Sequence, residues 1–212
     1  MLSTRLGRAS YARWRKRRAA AQVRDWQACG RPAPPPHCVK EQVLLRYARD
    51  YRLRTLVETG TQRGAMIAAL VDEFATIHSI EIVPELYEHA RRHFRQSPHV
   101  RLYCGDSARL LPQILAGLDE PALFWLDGHF NSGAPQAGAM VTPILSELAC
   151  LFVAPRLGHV IVIDDVRLFR AEAGYPELHT VLASIEQDGG WDTLIEDDSL
   201  RLTPRRSAPL SP

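Results

Sequence analysis

From Val39 onward, amphipathic stretches of helical period alternate with short β-branched or aromatic runs bounded by turn residues, the pattern of repeated βα units. A helix over about Lys40–Tyr51 leads into the strand "TLVET" (Thr55–Thr59). A glycine-rich turn and a helix near Ala65–Phe74 then precede "TIHSIEI" (Thr76–Ile82). Pro84 sits in the favoured first-turn position of the next helix, which is followed by "VRLYC" (Val100–Cys104). Asp106 is a good N-cap for the helix after that. Next come "ALFWLD" (Ala122–Asp127), a long loop containing "GHFNSGAPQAGA", a helix near Thr142–Phe152, "HVIVID" (His159–Asp164) and a helix over about Pro176–Gln187. "WDTLIE" and "LRLTP" close the series, separated only by "DDS", which is hairpin spacing. Five strands joined by crossovers and a terminal antiparallel pair predict a doubly wound α/β domain of seven strands with a C-terminal hairpin.

Before Val39 the pattern breaks. "GRPAPPPHC" (Gly30–Cys38) cannot be helix interior or central strand, so residues 1–38 read as an arm and Pro-rich linker, 39–204 as the folded domain and 205–212 as a disordered tail. The 212-residue length allows one sizeable core. Charge follows the same division: residues 1–24 carry eight Arg or Lys and no acid, leaving 18 basic and 24 acidic residues in the other 188. The net +2 thus hides a basic arm on a mildly acidic body. Cys29, Cys38, Cys104 and Cys150 form no CxxC pair, and Cys104 and Cys150 lie in apolar segments, so they read as buried, reduced thiols of a cytoplasmic protein. A zinc site from Cys29, His37 and Cys38 has the spacing of no finger or ribbon. No apolar run approaches the ~18 residues of a membrane span, and the N-terminus lacks a secretory signal. Its Arg-rich, acid-free start has a faint likeness to a transit peptide, but a solvated basic extension is the favoured reading.

In open α/β sheets ligands bind at the carboxyl ends of the strands. The first such end is "VETGTQRGA", with Glu58, Gly60, Thr61 and Gly64. A dinucleotide fingerprint needs glycine at position 62, where the backbone touches a pyrophosphate, and this chain has Gln62, so NAD fits poorly. S-adenosylmethionine, which has no pyrophosphate, needs only a tight turn at Gly60 and backbone amides for its carboxylate. Glu81, 21 residues after Gly60, ends the second strand, where a carboxylate can accept from both ribose hydroxyls. In "CGDSA", Asp106 or Ser107 is placed to meet an adenine amine. At the fourth and fifth strand ends stand Asp127 and the pair Asp164 and Asp165. Adjacent parallel strands lie about 4.8 Å apart, so the three carboxylates should converge and need a cation. Oxygen ligands with open positions suit Mg²⁺ or Mn²⁺. The alternative is that Asp164 pairs with Arg167 or Arg170 and Asp165 caps the next turn.

On "VETGTQRG", "SIEI", "YCGDS" and "WLDGH", and over roughly Lys40 to Pro204, the chain resembles class I S-adenosylmethionine-dependent methyltransferases. The carboxylate arrangement is similar to that of metal-dependent, macrocin-type O-methyltransferases, which methylate sugar hydroxyls. The resemblance implies a Rossmann-like sheet, S-adenosylmethionine bound by Glu58, Gly60, Thr61, Gly64, Glu81, Asp106 and Ser107, and Mg²⁺ (or Mn²⁺) on Asp127, Asp164 and Asp165. It implies as acceptor a hydroxyl of a small molecule or sugar. Catechol-type relatives carry a lysine just after the strand-four Asp; the only lysines here, Lys16 and Lys40, read as distant from it, which leaves Asp127 or His129 as the catalytic base. Asn131 and Ser132, in a loop rich in small residues, are placed to bind acceptor hydroxyls.

The basic arm raises a rival, an RNA-binding protein with a methyltransferase-like body; a catalytically silent cofactor-binding domain is another. "LDGHF" is not the proline-aromatic motif of base-modifying amino-methyltransferases, which counts against nucleic-acid methylation. Tyr11 and Trp14, three apart, share a helical face that also suits an anionic membrane surface or a partner subunit, so homo-oligomerisation stays open.

Overall fold

The computed structural model describes residues 17–128 and 142–205. Helix α1 (residues 17–28) and α2 (His37–Asp50) precede a sheet in which β1 (Thr55–Thr59), β2 (Thr76–Glu81), β3 (Val100–Cys104), β4 (Ala122–Leu126) and β5 (Val160–Ile163) are parallel. Between them run α3 (Ala65–Leu70), α4 (Pro84–His93), α5 (Ser107–Ala116) and α6 (Ile144–Val153). Two short 3₁₀ turns, Val166–Leu168 and Ala171–Ala173, lead to α7 (Leu178–Asp188) and the antiparallel β6 (Trp191–Glu196) and β7 (Ser199–Pro204). The strand order is β3-β2-β1-β4-β5-β7-β6, with β7 antiparallel to β5. This is the expected seven-stranded, Rossmann-like α/β fold with its C-terminal hairpin. The hairpin turns on Asp197 and Asp198, both at positive φ (52° and 62°), as a tight primed turn requires.

Burial on both faces explains why the central strands read as unbroken apolar runs. Leu56, Leu123, Trp125, Val160 and Val162 pack under α2, α3 and α4, while Val57, Phe124, Leu126, Ile161 and Ile163 pack under α5, α6 and α7. Successive residues of each strand thus serve opposite cores.

Several boundaries differ from the sequence reading. Helix α3 stops at Leu70, because the chain must turn to bury Phe74 and let the Ala75 amide donate to Arg54 O. Cys104 is exposed rather than buried: it ends the edge strand β3, where no neighbouring strand covers it, and Cys150 is half-buried. All four cysteines are free. The linker folds back on the body. Trp26 is buried with its Nε1 donating to Pro32 O, Cys38 Sγ meets Ala19 O of α1, and Arg31 pairs with Glu196 and Asp197 of the hairpin. Residues 1–16 of the basic arm and 206–212 of the tail lie outside the described residues. Among the described residues, no helix is long and apolar enough to cross a membrane.

The order places the topological reversal between β1 and β4, and Gly60 stands at that seam with φ 88°. A Cβ on Gly60 would lie 2.5 Å from the carbonyl oxygen of Asp127. Gly60→Ala therefore combines left-handed strain with a backbone collision that no side chain can relieve, and is expected to cost on the order of 2–4 kcal/mol. Chemical denaturation monitored by circular dichroism measures it; a loss below about 1 kcal/mol would show that the β1 and β4 tips can part freely.

Candidate active site

The carboxyl ends of β1, β2, β3 and β4 surround a cavity of about 840 Å³. Glu58, Gly60, Thr61, Glu81, Asp106, Ser107 and Asp127, seven residues picked out from the sequence, line it. Gly64 does not: its φ of 74° forms the N-cap of α3, and a Cβ there would strike the Phe94 ring at 2.6 Å. Its requirement is packing against α4.

Glu81 is 5% exposed, and its two carboxylate oxygens accept from Gln62 N (2.6 Å) and Val83 N (2.9 Å). Each oxygen keeps a further lone pair. Asp106 caps α5, accepting from Ala108 N at 2.9 Å. The turn after β1 departs from expectation, because its amides are already used. Gly60 N and Thr61 N both donate to Ile80 O, Gln62 N to Glu81, and Gly64 N to Thr61 O, so none of these four is free for a ligand carboxylate. Below the turn, Glu58 accepts from Ser79, whose hydroxyl also meets Thr61. Burial, helped by the charges of Asp127 and Glu81, pushes the Glu58 carboxyl up to about 8, so it is largely protonated at neutral pH.

Pairing of Leu126 with Ile163 puts the ends of β4 and β5 side by side, and Asp164 N donates to Leu126 O at 3.0 Å. Asp127, Asp164 and Asp165 each offer an oxygen within 4.8 Å of the others. Asp164 and Asp165 line a much smaller cavity of about 10 Å³, shared with Asp127, Glu147 and Tyr175, which is room for about one water-sized occupant. Asp164 Oδ1 and the Tyr175 hydroxyl are both buried there without a hydrogen-bond partner.

A cation is already present. Lys40 reaches from α2 across the Trp125 ring (5.9 Å to its centroid) and donates to Asp164 Oδ2, with Asp165 Oδ1 at 3.5 Å. The expectation that no lysine lies near is thus wrong: 124 residues of sequence separate Lys40 from Asp164, and the fold closes the gap. Arg167 donates to the same Asp165 oxygen, Oδ1, at 2.7 Å and also pairs with Asp198, as one alternative reading foresaw for an arginine, though with Asp165 rather than Asp164. Asp165 itself adopts φ 57°, an uncommon but tolerated conformation for Asp. Burial and the Asp127 charge still hold Asp164 well above the usual carboxylate range, outweighing Lys40. Burial pulls Lys40 down, but the Asp164 charge and hydrogen bond more than offset it. His129, Asn131 and Ser132 lie outside the described residues.

Glu147 was not anticipated. It is 1% exposed on α6, beside Gly128, and neither of its oxygens has a hydrogen-bond partner of good geometry. Burial lifts it to about 7, a rise that the nearby Ser107 and Thr59 hydroxyls only moderate. A sequence signal existed: in "ILSELACLFV" an acid occupies the apolar face between Ile144, Leu148 and Leu151.

No protein-family profile and no curated protein sequence matches the chain. Solved structures do match in shape. A methyltransferase of Podospora anserina with bound S-adenosylhomocysteine superposes with TM-score 0.61 at 16% identity over 88% of each chain. An O-methyltransferase of Bacillus cereus, also with S-adenosylhomocysteine, gives 0.58 at 14% over 88% of this chain and 90% of that one. The O-methyltransferase TomG of Streptomyces achromogenes, involved in tomaymycin synthesis and holding S-adenosylmethionine, gives 0.54 at 15% over 88% of each. At such identities the shared property is the fold, a Rossmann-like methyltransferase sheet.

Glu147 also supplies a pH test. Its folded pKa of about 7 lies above the ordinary value of 4.5, so the folded state holds this proton more tightly than the unfolded chain. The stability it contributes is full below about pH 4.5 and is lost as pH rises towards 7, an effect on the order of 3 kcal/mol. Glu147→Gln keeps the neutral shape at every pH, so the variant's advantage over wild type in urea denaturation should grow between pH 5 and 7. Parallel curves would show that Glu147 is ionised and paired.

Proposed function

We propose that this chain is an S-adenosylmethionine-dependent O-methyltransferase, assisted by a divalent ion and acting on a hydroxyl of a small molecule or sugar. The observation that carries this reading is the adjacency of two features: a cavity of about 840 Å³ edged by Glu81, Asp106 and Ser107, and a cluster of three carboxylates reached through Asp127, which borders both. Cavity size is in the range for a nucleoside-sized ligand. The ligands of the similarly folded structures support the same cofactor.

The residues fit both groups. Glu81 is fixed by two backbone amides and keeps acceptor capacity for ribose hydroxyls; Asp106 and Ser107 border the cavity one strand further on. Asp127, Asp164 and Asp165 supply hard oxygen donors, and the partnerless Asp164 Oδ1 is the kind of buried acceptor that a cation satisfies. When bound, the cofactor supplies an electrophilic methyl carbon, and the ion lowers the pKa of a coordinated hydroxyl. The chain's part is placement and proton handling. Glu81 orients the cofactor along the edge of β2, and the protonated Glu58 beneath it adds no second negative charge. Asp127 borders both cavities and is positioned, with His129 as the other candidate, to take the acceptor's proton.

Isothermal titration of the full chain with S-adenosylhomocysteine tests the cofactor half. Saturable binding is expected, weakened at least about tenfold by Glu81→Ala; no binding to the wild type overturns the proposal. Methyl transfer from S-adenosylmethionine to hydroxyl acceptors is expected to require Mg²⁺ and to vanish in Asp164→Ala.

A further inference from the structure

The carboxylate cluster differs from an open metal site in one respect: its own chain has placed an ammonium group in it. Lys40 is 17% exposed at the side chain and contacts the two carboxylates that follow β5, one of which is almost completely buried. Its Nζ also lies over the Trp125 ring, 5.9 Å from the centroid, so the ammonium has an aromatic face beside it as well as the carboxylates. Lys40 also lines the large cavity, and Asp164 and Asp165 line the small one, so the ammonium bridges the two. Among the 26 Lys and Arg residues only Lys16 and Lys40 are lysines, and a lysine, unlike an arginine, is a compact point charge on a flexible stem that can withdraw without unmaking a planar bidentate contact.

We infer that Lys40 is a tethered counter-cation that competes with the divalent ion for Asp164 and Asp165, so that ion binding displaces its ammonium from the cluster. The inference rests on the divalent-ion reading above and adds how that site is held when the ion is away. Two like charges beside one another need a positive partner in either state. Lys40 supplies it in one state and the ion in the other, at the cost of weakened ion affinity.

Mn²⁺ binding to the full chain, followed by electron paramagnetic resonance of the free ion, tests this without any acceptor. Lys40→Met keeps the stem and removes the charge; it should bind Mn²⁺ at least about tenfold more tightly than wild type. Lys40→Arg keeps the charge in a planar fork that withdraws less readily and should bind Mn²⁺ no more tightly than wild type. Mn²⁺ should also raise the melting temperature of Lys40→Met more than that of wild type. Asp164→Ala should abolish binding in both backgrounds. Equal or weaker binding by Lys40→Met overturns the competition while leaving the ion site standing. If wild type and both Lys40 variants all fail to bind Mn²⁺, or binding survives Asp164→Ala, the divalent-ion reading falls and the competition falls with it.

Discussion

Like charges that cannot move apart are the constraint on which the candidate-site edge of the sheet depends. Asp127 and Asp164 are pinned by ladder hydrogen bonds, Asp127 N to Thr59 O and Asp164 N to Leu126 O. Their carboxylates therefore stay close whatever the solvent does. Burial makes the repulsion worse, because the interior screens less than water. The surrounding structure is arranged as a response: Lys40 from α2, Arg167 from the turn after β5, and Asp198 of the hairpin sharing Arg167. Even so the response is incomplete, since Asp164 Oδ1 has no partner and its carboxyl titrates high. A site left short of positive charge in this way attracts cations.

What could be read from the sequence and what could not divides along a physical line. Residues at strand ends were legible, because a β-branched run followed by an acid fixes both the element and the edge. Glu81, Asp106, Asp127, Asp164 and Asp165 all stand where the pattern put them. Residues that act through a helix were not. Lys40 sits between Val39 and Glu41 on an amphipathic helix, a position indistinguishable from a solvated face until the helix is docked. Glu147 is on the apolar face of α6, yet sequence alone does not say what that face covers. The turn after β1 was legible as a tight turn, but the destinations of its amides are set by the pairing of β1 with β2, so the donors expected for a ligand turn out to be spent on Ile80 and Glu81. Gly64 looked like part of a ligand turn and instead makes room for Phe94.

The segment before Val39 has a larger role in this edge than its composition suggests. Its Pro-rich run reads as a separator, but Trp26 is buried against it, Arg31 is anchored on the hairpin at Glu196 and Asp197, and Cys38 is packed against α1. The last of these contacts, Cys38, is in the first turn of α2, the helix that carries Lys40. Lys40 lies within the first turns of α2, where fraying would otherwise be greatest, and α2 has no side-chain cap to hold that end. The docked linker supplies the missing restraint.

That restraint ties the length of the lysine's reach to the hairpin. Arg31 is held by the turn that joins β6 to β7, and β7 is the strand that flanks β5 on the side away from β4. Arg201, fully buried on β7, grips Glu196 and its carbonyl from inside the same turn. Thus the carboxylates that follow β5 and the start of α2 are positioned from one structural unit, the C-terminal hairpin: one through the sheet ladder, the other through Arg31. A disturbance of the hairpin should shift the ammonium and its acceptors together, whereas a disturbance of the linker should move the ammonium alone. The pairing of Lys40 with Asp164 is in this sense a tertiary contact whose two halves share a common anchor, which is why so distant a pair in sequence can be held at contact distance.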